Sequence, residues 1–338
     1  MLRIAKCVAA GVLVLLVAGT AFAGGASEGS SATTVESNVI GISKIVAHPA
    51  LDAVEQGIID ELRELGYGNL TFDVQNANGD ISTAASIATK FRTDRVRLAV
   101  GIATPTSQAL VNGITDIPVV YSAVTNPVEA GLVDSFDVGG PNVTGFSDMT
   151  PVASQFDLIA TVIGAQRVGH VYASGEANAV SLAGMARDAA AERGIEFVEA
   201  TVVNSSEVRA AVQAIARRVD AIYVSTDNTV VSALAAVTEV AAAEGLPVIL
   251  ADATSAMDGG VVLALGFDYY KLGRSTGRLV ADILEGAEPA TIPTQFLTDP
   301  SDLNLLVNLD VAAELGIEIS PQLLADASMI IENGQLRD

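Results

Sequence analysis

One cysteine and no tryptophan occur in 338 residues. The cysteine, Cys7, stands ahead of the first long apolar run, so the chain beyond it has no thiol. That excludes disulfides, thiolate nucleophiles and cysteine-ligated metals, and the fold must rest on packing alone. Histidine is almost as scarce: His48 and His170 lie far apart and make no zinc-type cluster. The motifs of common chemistry are missing too. There is no G-x-G-x-x-G and no Gly-Lys phosphate loop, so dinucleotides and nucleoside triphosphates lack their usual cradle. There is no H-E-x-x-H and no G-x-S-x-G elbow. No metal, no cofactor and no enzymatic activity are expected. Positive charge is short as well, with 18 lysines and arginines against 40 acidic residues and a net charge of −22. A surface of that sign repels nucleic acid and anionic membranes. The acids are dispersed rather than run together, as on solvated faces.

What is present begins with an export signal. Arg3 and Lys6 precede the apolar stretch Val8 to Ala18, and Ala21-Phe22-Ala23 is a small-x-small cleavage site. The apolar run is short for a bilayer span, so residues 1–23 are expected to be removed after Ala23. Cys7 precedes that run, whereas lipid attachment needs a cysteine just after it, and no lipoprotein is expected. The mature chain would be periplasmic or otherwise extracytoplasmic. Residues 24–37 are small and polar with nothing to bury, and read as a flexible tether.

From Asn38 onward, short β-branched runs alternate with helical stretches of about a dozen residues, the pattern of parallel α/β layers. Strands are predicted at 39–46, 70–76, 97–102, 118–122 and 143–147, with helices near 50–65, 81–93 and 105–113 between them. After Pro151 the alternation restarts: helix 151–163, strand 167–173, helix 178–193, strand 196–202, helix 206–217, strand 220–225, helix 228–243 and strand 247–250. The length exceeds what one core usually holds, so the fold class is α/β with two doubly wound parallel-sheet lobes. His48-Pro49, Thr104-Pro105 and Thr150-Pro151 each place proline at a helix start, where its missing N–H costs nothing. Gly66, Gly194 and Gly245 follow helices as stops.

Sheets of this kind bind ligands beyond the carboxyl ends of their strands, where loops lead into helix N-termini. The cleft between two facing lobes is then the expected site. Thr104, Thr106 and Ser107 follow the apolar strand LAVGI and open a helix, a place suited to an anion, although threonine is also a common cap. Ser122 to Pro127 is an irregular stretch able to present carbonyls and hydroxyls to an ammonium. Asp227 and Asn228 open a helix of the second lobe, where a carboxylate either meets an ammonium or caps its own helix. Asp148 and Asp252 occupy similar strand-end loops with the same ambiguity. Glu176 and Asn178 lie in a strand-to-helix turn. His48 either lines the cleft or caps its helix, and His170, inside a strand, reads as structural. Phe146, Tyr172, Phe267, Tyr269 and Tyr270 are the limited aromatic supply, most of it for packing.

The segments AHPALDAVEQGIIDELRELGY, FDVQNANGD, GIATPTSQAL, YSAVTNPVEAGLV, NVTGFSDMTP, ASGEANAVS, EATVVNSSEV, DAIYVSTDNTVVSAL and LGFDYYKLGR resemble, in order, the substrate-binding components of the tryptophan and tyrosine type of ABC transporter. The resemblance runs from about residue 38 to about 330. It implies a type I periplasmic-binding fold with three crossovers, near Phe146 to Met149, Leu263 to Phe267 and Ala287 to Pro293. Lobe I would then be 38–146 with 268–286, and lobe II 147–267 with 287–338. It also implies that Thr104, Thr106 and Ser107 hold the carboxylate of an amino acid, and Ser122, Val124 and Asp227 its ammonium. Asp148 and the turn from Glu176 to Asn178 would complete the wall. The implied partners are a small-molecule ligand and an ABC permease in the membrane, the protein itself acting as a monomer with no nucleic acid. A periplasmic ligand-sensing module of a receptor system is the alternative.

Overall fold

The computed structural model describes residues 37–337, so the expected signal and nearly all of the tether lie outside the described residues. The chain opens with β1 (Val39–Lys44), α1 (Pro49–Glu64), β2 (Thr71–Asn76), α2 (Ile81–Asp94), β3 (Leu98–Ile102), α3 (Thr104–Gly113), β4 (Val119–Val124) and β5 (Val143–Ser147). It continues with α4 (Val152–Leu158), β6 (Arg167–Ala173), α5 (Ala177–Glu192), β7 (Glu196–Val202), α6 (Val208–Ala216), β8 (Ala221–Val224), α7 (Asn228–Val231), α8 (Leu234–Glu244), β9 (Val248–Leu250) and β10 (Leu263–Phe267). The last part holds α9 (Tyr269–Leu284), β11 (Gln295–Phe296), β12 (Leu303–Asn308), α10 (Leu309–Glu314), α11 (Pro321–Asp326), β13 (Met329–Glu332) and β14 (Gln335–Arg337).

These strands form two sheets. The first has the order β11-β5-β4-β3-β1-β2, all parallel. The second has the order β14-β13-β12-β10-β9-β8-β6-β7. Its parallel core carries two antiparallel pairings, β10 with β12 and β13 with β14, where a purely parallel sheet was expected. In both sheets the strand order reverses once, between β1 and β3 and between β6 and β8. Helices leave opposite faces at such a point, and the loops there part to form a crevice. Strands β3, β4 and β5 are buried along their whole length, as parallel strands covered on both faces must be. The apolar cores are separate. One gathers residues from 40–146 and 269–283, and the others gather residues from 152–331 outside α9.

The chain passes between the sheets at 148–151, at Asp268 and at 297–302. The third passage falls later than the expected 287–293, because Gln295 and Phe296 still pair with Phe146 and Ser147 of the first sheet. Two contacts secure this segment: Thr144 Oγ1 donates to Ile292 O at 3.0 Å, and the Tyr121 and Thr294 hydroxyls bond at 2.6 Å.

Helix α9 returns to lie along α1. Two glycines set the close approach: a Cβ on Gly57 would sit 2.4 Å from Tyr270 O, and one on Gly273 would sit 2.3 Å from Val54 O. The buried Glu61 is held there by Arg274 and Arg278. The helix expected over 228–243 is instead two, broken at Ser232 and Ala233 with neither glycine nor proline to announce it. Its first turn is gripped from outside, since Glu176 accepts from Asn228 Nδ2 at 2.6 Å and from Thr229 N at 3.0 Å. The helix expected over 151–163 likewise changes form: α4 ends at Leu158, and Ile159–Ile163 widens into a π-turn.

Candidate functional site

The carboxyl ends of both sheets converge on one cavity. His48, Ala50 and Leu51 reach it from β1 and α1, and Ala123 and Thr125 from the end of β4. Asn178, Thr226, Asn228, Val231 and Asp252 reach it from the second lobe, with Asp148 from the first crossing and Tyr269 from α9. Both strand-order reversals therefore feed the same space. It encloses about 310 Å³ free of atoms, of which the centre of a water molecule could occupy about 10 Å³, so the walls lie almost in contact.

The first lobe contributes backbone. Helix α1 starts at Pro49 after an extended His48, and no side chain caps it. Helix α3 also starts uncapped, after Ala103 at φ 77° and ψ 160°. Two other helices of this lobe carry a side-chain cap: Asp80 accepts from Thr83 N in α2 and Asp268 from Lys271 N in α9. The first N–H groups of a helix have no partner within it, and left uncapped they favour an anion. Ala103 and Ala123, at φ 77° and 55°, hold left-handed backbone that favours glycine. Such strain is kept where the surroundings fix it, often at binding sites.

The other wall contributes carboxylates. Asp148 Oδ2 accepts from the Tyr269 hydroxyl at 2.9 Å, and Thr125 Oγ1 approaches Oδ1 at 3.4 Å. Asp252 Oδ1 accepts from Thr254 N at 2.8 Å and Ser255 N at 3.2 Å. Burial pushes both carboxyls up to about 6, and the proximity of Asp252 adds to the rise at Asp148. Burial pushes the His48 imidazole down to about 4, so its ring is neutral at pH 7. Asn178 Nδ2 donates to Thr226 O at 3.1 Å, while Asn178 Oδ1 and Thr226 Oγ1 are buried without a partner. Unsatisfied polar atoms facing an enclosed cavity are what an incoming polar ligand would saturate.

Of the residues singled out from the sequence, His48, Asp148, Asn178, Asn228 and Asp252 line the cavity. The others do not, each for a local reason. Asp227 caps α7 through Val230 N at 3.0 Å and accepts from Ala173 N at 2.6 Å, so both its oxygens serve the backbone. Burial, and then the nearby Glu176, raise its carboxyl above the usual range. Ser122 bonds the Thr276 hydroxyl at 2.7 Å beneath α9, and its carbonyl accepts from Ala103 N. The Val124 carbonyl accepts from Asp148 N. Thr106 Oγ1 donates to Ile102 O at 2.6 Å, and Ser107 Oγ to Ala103 O at 2.8 Å. Thr104 Oγ1 is buried without a partner but lies outside the cavity wall. Glu176 is occupied by Asn228 and Thr229.

Sequence reasoning passed over Thr125, Thr226, Val231 and the helical pair Ala50 and Leu51. The first two sit inside loops already marked, beside more conspicuous neighbours. Tyr269 was expected to pack, and it does so buried, with its hydroxyl turned to Asp148. His170 is structural: its Nδ1 pairs with Tyr223 O at 3.0 Å and its ring stacks on Tyr172.

Two α/β lobes, three crossings and paired strand-order reversals opening on one cavity define a type I periplasmic-binding fold. Residues 39–331 match the family model of the ABC transporter substrate binding proteins, and the chain belongs to that family. A protein of Clostridioides difficile named tyrosine-binding protein is 36% identical over 283 residues, covering 82% of this chain and 81% of its own. A conserved domain protein of Vibrio cholerae has a crystal structure 42% identical, with TM-score 0.84, covering 87% of this chain and 99% of that one. A Streptococcus pneumonia domain in complex with L-Trp is 31% identical with TM-score 0.83, covering 87% and 100%. The ligand-free, open form of a Clostridium difficile substrate binding protein with adhesive properties is 34% identical, but its TM-score is 0.63, over 84% and 96%. At similar identity, this chain is thus closer in shape to the L-Trp complex than to the open form.

Proposed function

We propose that this chain is the extracytoplasmic solute-binding component of an ABC importer, and that it captures an amino acid with an aromatic side chain between its lobes. The observation that carries the reading is the cavity's two-sided chemistry. An uncapped helix start lies on the first-lobe wall, Asp252 lies on the second, and Asp148 stands at the crossing between them. A zwitterion fits that division, with its carboxylate on the α1 N–H groups and its ammonium between the two aspartates. The names of the C. difficile relative and of the L-Trp complex support the aromatic preference.

In this reading the lobes are 38–147 with 268–296, and 148–267 with 297–337. They open to admit ligand and close on it, because only the closed form makes both sets of contacts. The signal at 1–23 would be cleaved after Ala23 without lipid attachment, and a membrane permease would receive the ligand from a monomeric, non-enzymatic carrier. Among the described residues no helix is long and apolar enough to cross a membrane.

The test is a thermal-shift and calorimetric screen of refolded, ligand-free protein against the L-amino acids. Tryptophan and tyrosine should raise the melting temperature, since a ligand that binds only the folded state stabilises it by mass action. With no tryptophan in the chain, indole fluorescence in the titration reports the ligand alone. No shift with any amino acid would sink the assignment.

A further inference from the structure

A second chamber adjoins the first. It contains about 630 Å³ free of atoms, about 250 Å³ of it open to the centre of a water molecule, so it is far roomier than its neighbour. Pro49 closes it on the first-lobe side, and Val231, Leu234 and Ala235 close it on the second. His48 and Val231 belong to both chambers and form the partition between them.

The walls mix apolar and polar surface, and two buried polar groups face the space without partners. His48 is 9% exposed, and neither of its ring nitrogens completes a hydrogen bond although Asn228 is a neighbour. Ser255 is 1% exposed, and its Oγ is unpaired although its own N–H and the Asp252 carboxylate are close. Leaving three such atoms unsatisfied is costly unless something else bonds them. A neutral imidazole offers one donor and one acceptor, and a hydroxyl offers both.

We propose that this chamber is the side-chain pocket, and that His48 and Ser255 read a hydrogen-bonding atom on the ligand's aromatic ring. The inference rests on the amino-acid reading above and adds a selectivity to it. The uncapped α1 start and the aspartates of the inner chamber take the α-carboxylate and ammonium as the lobes close around the ligand, while the ring passes His48 into the roomier outer one. A phenol can donate to one of the two orphaned groups and accept from the other, an indole N–H can donate to one of them, and a bare phenyl ring leaves both buried and unpaired. A site built to bond a polar ligand atom discriminates strongly against the analogue that lacks it.

Calorimetric titration of the full mature chain with L-tyrosine, L-tryptophan and L-phenylalanine tests this. The wild type should bind tyrosine and tryptophan at least about tenfold tighter than phenylalanine. Ser255→Ala and His48→Leu should each narrow that ratio to below about threefold, as expected when the bonding group is removed. Ala235→Trp, at an exposed wall residue that folding tolerates, should weaken all three ligands by filling the chamber. Equal affinity for phenylalanine in the wild type overturns the proposal. So does a ratio unchanged in both polar variants, or an Ala235→Trp protein that binds all three ligands normally. If none of the three binds the wild type, the amino-acid reading falls with it.

Discussion

The two walls of the cleft are built by opposite means. On the first lobe the chain leaves the start of α1 bare, so its backbone N–H groups meet the cleft without a side-chain cap. On the facing side and at the first crossing the polar work falls to side chains: Asp252 and Asp148 stand buried at the cavity, with Asn178 and Asn228 beside Asp252 in the lining. On the amino-acid reading proposed above, the carboxylate would go to the first wall and the ammonium to the aspartates, so that closure would be part of binding.

The division breaks most sharply at the aspartates. Asp148→Asn combined with Asp252→Asn should cost at least about 100-fold in amino-acid affinity, since bonds to charged groups are worth about 1.5–3 kcal/mol each. The ligand-free protein should melt no lower, because a buried amide needs less solvation than a buried carboxylate. Calorimetry beside thermal melts reads both, and unchanged affinity would move the ammonium elsewhere. Asp227→Ala should behave in the opposite way. It removes the α7 cap and strands Ala173 N–H, for a stability loss of about 2 kcal/mol in urea unfolding. Affinity should fall less than about tenfold, in keeping with a residue outside the cavity. A large affinity loss in a stable protein would return Asp227 to the ligand.

A smaller effect should appear with pH. Burial raises Asp148 and Asp252 to about 6 from an ordinary 3.8, so the folded state holds protons that the unfolded chain releases. Stability of the ligand-free protein should therefore fall as pH rises from 3.8 through about 6, to the extent that the cleft stays closed without ligand. Amino-acid affinity should climb over the same interval as the carboxylates ionise, and melts and titrations across it would expose a missing trend. Ser122→Ala is the mildest case. Loss of its bond to Thr276 should cost about 1 kcal/mol of stability with no change in affinity.

The alternation of strands and helices up to Leu250 was legible because each element carries its own pattern. LAVGI and PVVYS read as parallel strands, the second of which runs on to Val124, and Gly66, Gly194 and Gly245 end helices at positive φ. The last third was less so. Strands β11 and β12 are short or antiparallel and pair with β5 and β10, far away in sequence, while β14 is a three-residue hairpin strand against β13. The break after α7 depends on Glu176, some fifty residues earlier, which no local window contains. At the site the loops could be found but not the direction of each side chain. Asp227 and Asp252 both open strand-end loops of the second lobe, yet one is consumed by Val230 N and Ala173 N while the other reaches the cavity. Type and position were the same, and the hydrogen bonds available nearby decided the difference.

The tightness of the inner chamber has a kinetic meaning. With so little room for even one water molecule, nothing the size of an amino acid can slip in or out while the walls are together. Capture must pass through a parted state, and release can be no faster than the parting itself. A transporter that pries the lobes open would thereby set the rate at which cargo leaves.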